Sequence, residues 1–170
     1  SRIFLSLAGL SLALPLVMAV AKVTAADLAR AESRSALEKL VGKPTKSGPD
    51  KGQGSDWAVY ALPGTLGLKV MYFSTGGGLP KTQPDFFTIT FDKKRKWTDV
   101  ATDLGMKPAS MTLKKVYEGC FQLINDPIKH WNVYYTVANA KLQGTEELAN
   151  EGGHPSISIE SRSLNDDSPD

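Results

Sequence analysis

From Phe86 to Phe91 the chain alternates. Phe87, Ile89 and Phe91 fall on one side and Phe86, Thr88 and Thr90 on the other, which is the period of a β-strand. After the charged turn Asp92-Lys93-Lys94-Arg95-Lys96 the period lengthens. Trp97, Val100, Ala101 and Leu104 stand at i, i+3, i+4 and i+7, one apolar stripe on a short helix that Gly105 caps and Pro108 stops. The same two periods parse the rest of the chain. Thr24-Ala25-Ala26-Asp27 has the form of a capping box with Asp in place of Glu. It predicts a helix with Ala29, Ala36, Leu37 and Leu40 on its apolar face, closed by Gly42 and Pro44. Residues 43–55 are polar, contain Gly and Pro, show no period, and read as a mobile loop. The runs from Trp57 to Leu62 and from Leu68 to Phe73 alternate around Pro63-Gly64-Thr65-Leu66-Gly67 and form an antiparallel hairpin.

Beyond Pro108 the periods compete. Leu113, Val116, Tyr117, Cys120, Phe121 and Ile124 follow helical spacing, and the segment 112–125 reads as a helix. The alternative is a bulged strand, favoured by the mid-segment Gly119 and by Tyr117, Phe121 and Leu123 on one face. Asn125-Asp126-Pro127 is a turn, and Trp131, Val133, Tyr135 and Val137 then alternate with Asn132, Tyr134, Thr136 and Ala138. A polar connector leads to a final edge strand marked by Ile157 and Ile159, and no internal repeat is evident. The expected fold class is α+β: an antiparallel sheet of about five strands with helices packed on one face.

Ile3–Val20 carries no charge and follows Arg2, and its length alone allows a membrane span, for which about eighteen apolar residues is the threshold. Pro15 interrupts it, however, and Ala19-Val20-Ala21 places small residues where a signal peptidase cuts. Residues 1–21 therefore read as a cleavable export signal, with cleavage after Ala21 or, second, after Ala25; the alternative is a retained anchor. The remainder divides into a single domain over 22–163 and an acidic, disordered tail over 164–170. The expected location is exported, periplasmic or extracellular, with no stable membrane span after processing.

The net charge of +2 changes little: removing residues 1–21 deletes only Arg2, leaving 19 basic against 18 acidic groups. So near a balance, no global field draws nucleic acid, and none is expected as a partner. Cys120 is the one cysteine; it makes no intrachain disulfide and shares the apolar face of its segment, where a buried, inert thiol is expected. Of fourteen aromatic residues, thirteen lie between Trp57 and Tyr135, which places the dense core there.

Candidate chemistry is sparse. Lys93, Lys94, Arg95 and Lys96 beside Trp97 are the most concentrated charge, a candidate basic patch for a phosphate or anionic headgroup, although the favoured reading is a solvated strand-to-helix turn whose Trp97 belongs to the core stripe. Gly76-Gly77-Gly78 lacks the Gly-Lys-Ser/Thr of a phosphate loop and reads as a flexible connection. Glu147, Glu151, His154 and His130 do not have metal-ligand spacing, and neither histidine is flanked by a nucleophile signature. No catalytic residue, metal or cofactor is therefore assigned. The remaining candidate is aromatic: if one sheet face is covered, Phe86, Tyr134 and Tyr60 form a ligand or partner surface on the other.

One stretch carries a resemblance. A helix ending in Leu40-Val41-Gly42-Lys43-Pro44, followed by a polar loop and Trp57-Ala58-Val59-Tyr60, looks like the small outer-membrane assembly lipoproteins and the related β-lactamase-inhibitory fold. The resemblance implies an exported helix-plus-antiparallel-sheet module that binds proteins and catalyses nothing. No cysteine lies near the predicted cleavage site for acylation. The function expected from the residues is an exported, non-catalytic protein-interaction module whose partner is another exported or envelope protein. The alternatives are a carrier of a small apolar or lipophilic molecule held between sheet and helices, and a hydrolase using His130 or His154.

Overall fold

A computed structural model describes residues 22–50, 55–73, 83–125, 127–138 and 153–161. Its centre is one antiparallel sheet of eight strands: β1 (Lys46–Asp50), β2 (Ser55–Tyr60), β3 (Gly67–Phe73), β4 (Gln83–Thr90), β5 (Thr112–Tyr117), β6 (Cys120–Ile124), β7 (Trp131–Thr136) and β8 (Ser156–Ser161). The helices are α1 (Ala25–Ala29), α2 (Arg34–Val41) and α3 (Trp97–Asp103), with a 3-10 turn at Pro108–Ser110. The expected arrangement of about five strands with helices packed on one face is thus overturned. The sheet dominates, and among the described residues the helices are few and short.

The spatial order is β1-β2-β3-β4-β8-β7-β6-β5. Two four-stranded meanders therefore meet along their last strands, with Phe87 opposite Ile159 and Ile89 opposite Ile157 at the seam. Helical segments precede each meander, and each is followed by a positive-φ glycine and then Lys-Pro: Gly42 (φ 86) before Lys43-Pro44, and Gly105 (φ 77) with Met106 before Lys107-Pro108. The halves thus repeat a plan that the sequence hides, because the copies share little beyond this helix exit. The strand carrying Ile157 and Ile159, expected at an edge, is instead central.

Three further expectations are corrected. The segment 112–125 is a hairpin, β5 against β6, with Tyr117 opposite Cys120. Gly119 turns it at φ +76, a conformation that costs a side-chain-bearing residue dearly and that no helix interior uses. The polar run read as a loop over 43–55 contributes β1, an edge strand; Pro49 is tolerated there because one side of an edge strand has no ladder bonds to make. The N-terminal helix is two. Thr24 caps α1 in the predicted box with Asp27, but the Ser33 hydroxyl accepts the Ala36 N–H at 3.1 Å and starts a second helix.

One sheet face builds the core. Ala58, Tyr60, Leu68, Val70, Tyr72, Phe87, Ile89, Ile157, Ile159, Val133 and Leu123 point to it and are buried with Leu28, Leu37, Val100, Ala101 and Leu104 of the helical segments. Helix α3 matches its predicted stripe. Val100 and Ala101 are buried, and Trp97 is half-buried with its ring stacked on Tyr135 at 5.7 Å. The start of α1 is tied to the end of α3 by the Ala25 N–H, which donates to the Leu104 carbonyl at 2.9 Å.

Candidate functional site

Alternation along the strands sends the remaining side chains to the second face, and the register sorts them into rows. One row runs Gly48–Trp57–Met71–Phe86–Glu160–Asn132 across β1, β2, β3, β4, β8 and β7. The next runs Lys46–Val59–Lys69–Thr88–Ser158–Tyr134–Gln122–Lys114. A third runs Gly67–Thr90–Ser156–Thr136–Cys120. The first row therefore carries three large apolar side chains on adjacent strands. Trp57 and Phe86 are half-buried and Met71 is buried. Gly48 lets the indole lie on the edge strand, since a Cβ there would come within 3.1 Å of the Trp57 ring. The Lys69 ammonium stands 5.7 Å from the Trp57 ring centroid, a cation–π contact.

Beside this ridge runs a lane of small polar residues. Thr88, Thr136, Ser156 and Ser158 are all buried. Buried hydroxyls normally have partners, yet the Thr88 Oγ1 has none among the described residues. The Gln122 amide donates to the Asn132 side-chain carbonyl at 3.3 Å at the far side of the lane.

The three predicted surface aromatics separate. Phe86 and Tyr134 share the second face, half-buried, on strands with β8 between them. Tyr60 does not join them: it is 1 % exposed on the core face, opposite Leu68, and its hydroxyl meets that of Tyr72 at 2.5 Å. That assignment is corrected, and Trp57 takes the place given to Tyr60.

The basic run also divides. Lys93, Lys94 and Lys96 are exposed, whereas Arg95 turns inward and donates to the Gly64 carbonyl and to Asp103 Oδ2, each at 2.6 Å. Lys22 donates to the other Asp103 oxygen at 2.7 Å. The hydrogen bonds from Lys22 and then Arg95 hold the Asp103 carboxyl below its usual range. Four adjacent cations therefore do not present one patch.

His130 precedes β7 and His154 precedes β8, so they lie at opposite ends of two antiparallel strands. About 17–20 Å of strand separates them, at ~3.3 Å per residue. Among the described residues no three His, Cys, Asp or Glu side chains converge on a metal position. Glu147, Glu151, Asp126, the Gly76-Gly77-Gly78 run, residues 1–21 and the tail 164–170 lie outside the described residues.

Cys120 is 7 % exposed; burial pushes its thiol up, and the Thr136 hydroxyl donating to Sγ at 3.8 Å offsets this only in part. Both effects of burial, on access and on thiolate formation, slow reaction with electrophiles. Native Cys120 should label with a maleimide or disulfide reagent at least about tenfold more slowly than the urea-unfolded chain. Equal rates in a time course followed by mass spectrometry would show that the thiol is accessible.

The sequence missed Trp57 and Met71 as members of this face because β2 and β3 are apolar on both sides. Their cross-strand register is the signal that places them. No protein-family model, curated protein or solved structure matches the chain.

Proposed function

We propose that the protein is an exported, non-catalytic module that binds another exported or envelope protein through the second face of its sheet. The observation that carries this reading is the Trp57–Met71–Phe86 row, with Tyr134 two strands beyond Phe86 and a lane of small hydroxyls between. Half-exposed aromatic side chains on rigid strands supply contact area at low entropic cost, and such residues are enriched where proteins meet. Export rests on the sequence: Arg2, the uncharged run Ile3–Val20, and Ala19 and Ala21. No helix among the described residues is long and apolar enough to cross a membrane.

Photo-crosslinking tests the face directly. A benzophenone amino acid placed at Phe86 or at Tyr134 in the native host should capture the same exported protein. Placed at Thr102, exposed on α3, it should not. Capture that is equal at all three positions, or absent at Phe86 and Tyr134, would remove the second face as the binding surface.

A further inference from the structure

A separate feature lies on the core side of the sheet, and it does not depend on the protein-binding reading. Between the end of α2, the β2–β3 turn and α3 opens a cleft of about 730 Å³. That is within the range of about 300–1,000 Å³ typical of small-molecule sites. Leu40, Val41, Leu62, Pro63, Val100 and Leu104 give it apolar walls. Leu40 is 43 % exposed although it sits on the helix stripe, because this cleft lies beneath it.

The ionisable side chains of the lining are Lys22, Arg95 and Asp103, two cations and one anion, so the cleft is positive on balance. Asp103 bridges the two cations, taking Lys22 on one oxygen and Arg95 on the other. Arg95 is also fixed by the Gly64 carbonyl, so its guanidinium is held in place rather than free in solvent. Two of its five N–H groups are used in these bonds, and Lys22 spends one of three. A pre-positioned guanidinium and an ammonium sharing one carboxylate have donors left for a single further anion.

We propose that this cleft binds a small anionic amphiphile, with its alkyl or aromatic body against Leu40, Leu62 and Leu104 and its carboxylate-like head at Lys22 and Arg95. The sign of the charge selects the sign of the head: an anionic head lowers the positive charge of the cleft, and a cationic head would add to it. The apolar walls select the tail. Hydrocarbon burial supplies the affinity, and the charged pair supplies the choice among heads.

The probes are decanoate, decanol and decylammonium, each below its micellar concentration, titrated into the protein and followed by calorimetry and by amide NMR shifts. Decanoate should bind about tenfold or more tightly than decylammonium, with decanol between them. Its affinity should fall as salt rises. Lys22→Gln should weaken decanoate by about threefold to tenfold and leave decanol unchanged, since Lys22 is largely exposed and its loss leaves the core intact. Leu40→Trp, a substitution at an exposed position, should fill the cleft and abolish binding of both decanoate and decanol while the circular dichroism and melting midpoint stay at their wild-type values. Three results would each overturn the proposal: no decanoate binding, decylammonium bound as tightly as decanoate, or decanoate binding unchanged in a folded Leu40→Trp.

Discussion

Phe87→Ala is expected to cost about 3–5 kcal/mol of folding free energy, out of the ~5–15 kcal/mol that holds a domain of this size. The neighbouring Phe86→Ala should cost no more than about 1 kcal/mol. The two residues are adjacent in sequence and identical in chemistry, and only the face they point to differs. Phe87 has no exposed surface, stands between Val70 of β3 and Ile159 of β8, and has its ring 5.7 Å from that of Trp131. It thus sits on the seam where the two meanders join, and truncating it leaves a cavity that both halves line. Phe86 is half-buried on the second face and leaves no enclosed space when shortened. Urea unfolding followed by far-UV circular dichroism and by tryptophan fluorescence measures both. Because the seam couples the halves, the two signals should shift together in Phe87→Ala. Equal losses in the two variants would mean that the faces of β4 are wrongly assigned, and separated transitions would mean that the halves unfold independently.

Where one side of an element faces the core and the other faces water, the sequence announces it. Strand β4, strand β7 and the stripe of α3 each have a clear core side, and their periods read correctly; β2 and β3, apolar on both sides, showed their pairing but not their faces. Strand β5 is not. All of it is exposed, Leu113, Val116 and Tyr117 included, so no inside–outside contrast imposes a period of two. Its apolar residues, taken with Cys120, Phe121 and Ile124 of β6, happen to fall at helical spacing, and only Gly119 betrays the turn. Strand β1, Lys-Ser-Gly-Pro-Asp, has no apolar signal at all, because what holds it is pairing with β2. The central place of β8 is a matter of chain path, which a six-residue pattern of Ser and Ile does not encode.

The same physics limited the site. Phe86 and Tyr134 were placed by alternation, since each strand has a clear core side. Tyr60 was misplaced because Trp57, Ala58, Val59 and Tyr60 are apolar in turn, and only the pairing of Tyr60 with Leu68 reveals which way it points. The cleft left no mark in the linear sequence: Lys22, Leu40, Pro63, Arg95 and Asp103 converge from four separate stretches. The capping motif Thr24–Asp27 was legible, and through Ala25 and Leu104 it fixes one wall of that cleft, but its partner across the chain was not.

The buried Tyr72 should make the fold sensitive to alkali, and Tyr72→Phe should remove part of that sensitivity. Tyr72 has no exposed surface; its hydroxyl meets that of Tyr60, and the Arg34 guanidinium lies 5.5 Å from its ring centroid. Burial, and then the hydrogen bond with Tyr60, push its phenol far above the ordinary value of 10.0. In the unfolded chain Tyr72 loses its proton near that ordinary value, whereas in the folded chain it keeps it. Above pH 10 the folded state therefore binds more protons, and stability falls as pH rises, by up to about 1.4 kcal/mol per pH unit for this one group. Below pH 10 the contribution is complete. Burial raises Tyr135 and Cys120 as well, so wild-type stability should begin to decline from about pH 9, where an ordinary thiol titrates. Those two groups are unchanged in Tyr72→Phe and cancel in the comparison. At neutral pH the variant should lose about 1–3 kcal/mol, because the Tyr60 hydroxyl is left buried without its partner. Replacing both tyrosines by Phe should recover much of that loss, since no polar group is then stranded. Urea midpoints for the wild type, both single variants and the double variant at pH 7, 9, 10 and 11 decide the matter. If the alkaline slope of Tyr72→Phe equals that of the wild type, Tyr72 ionises in the folded state and is not the buried group described here.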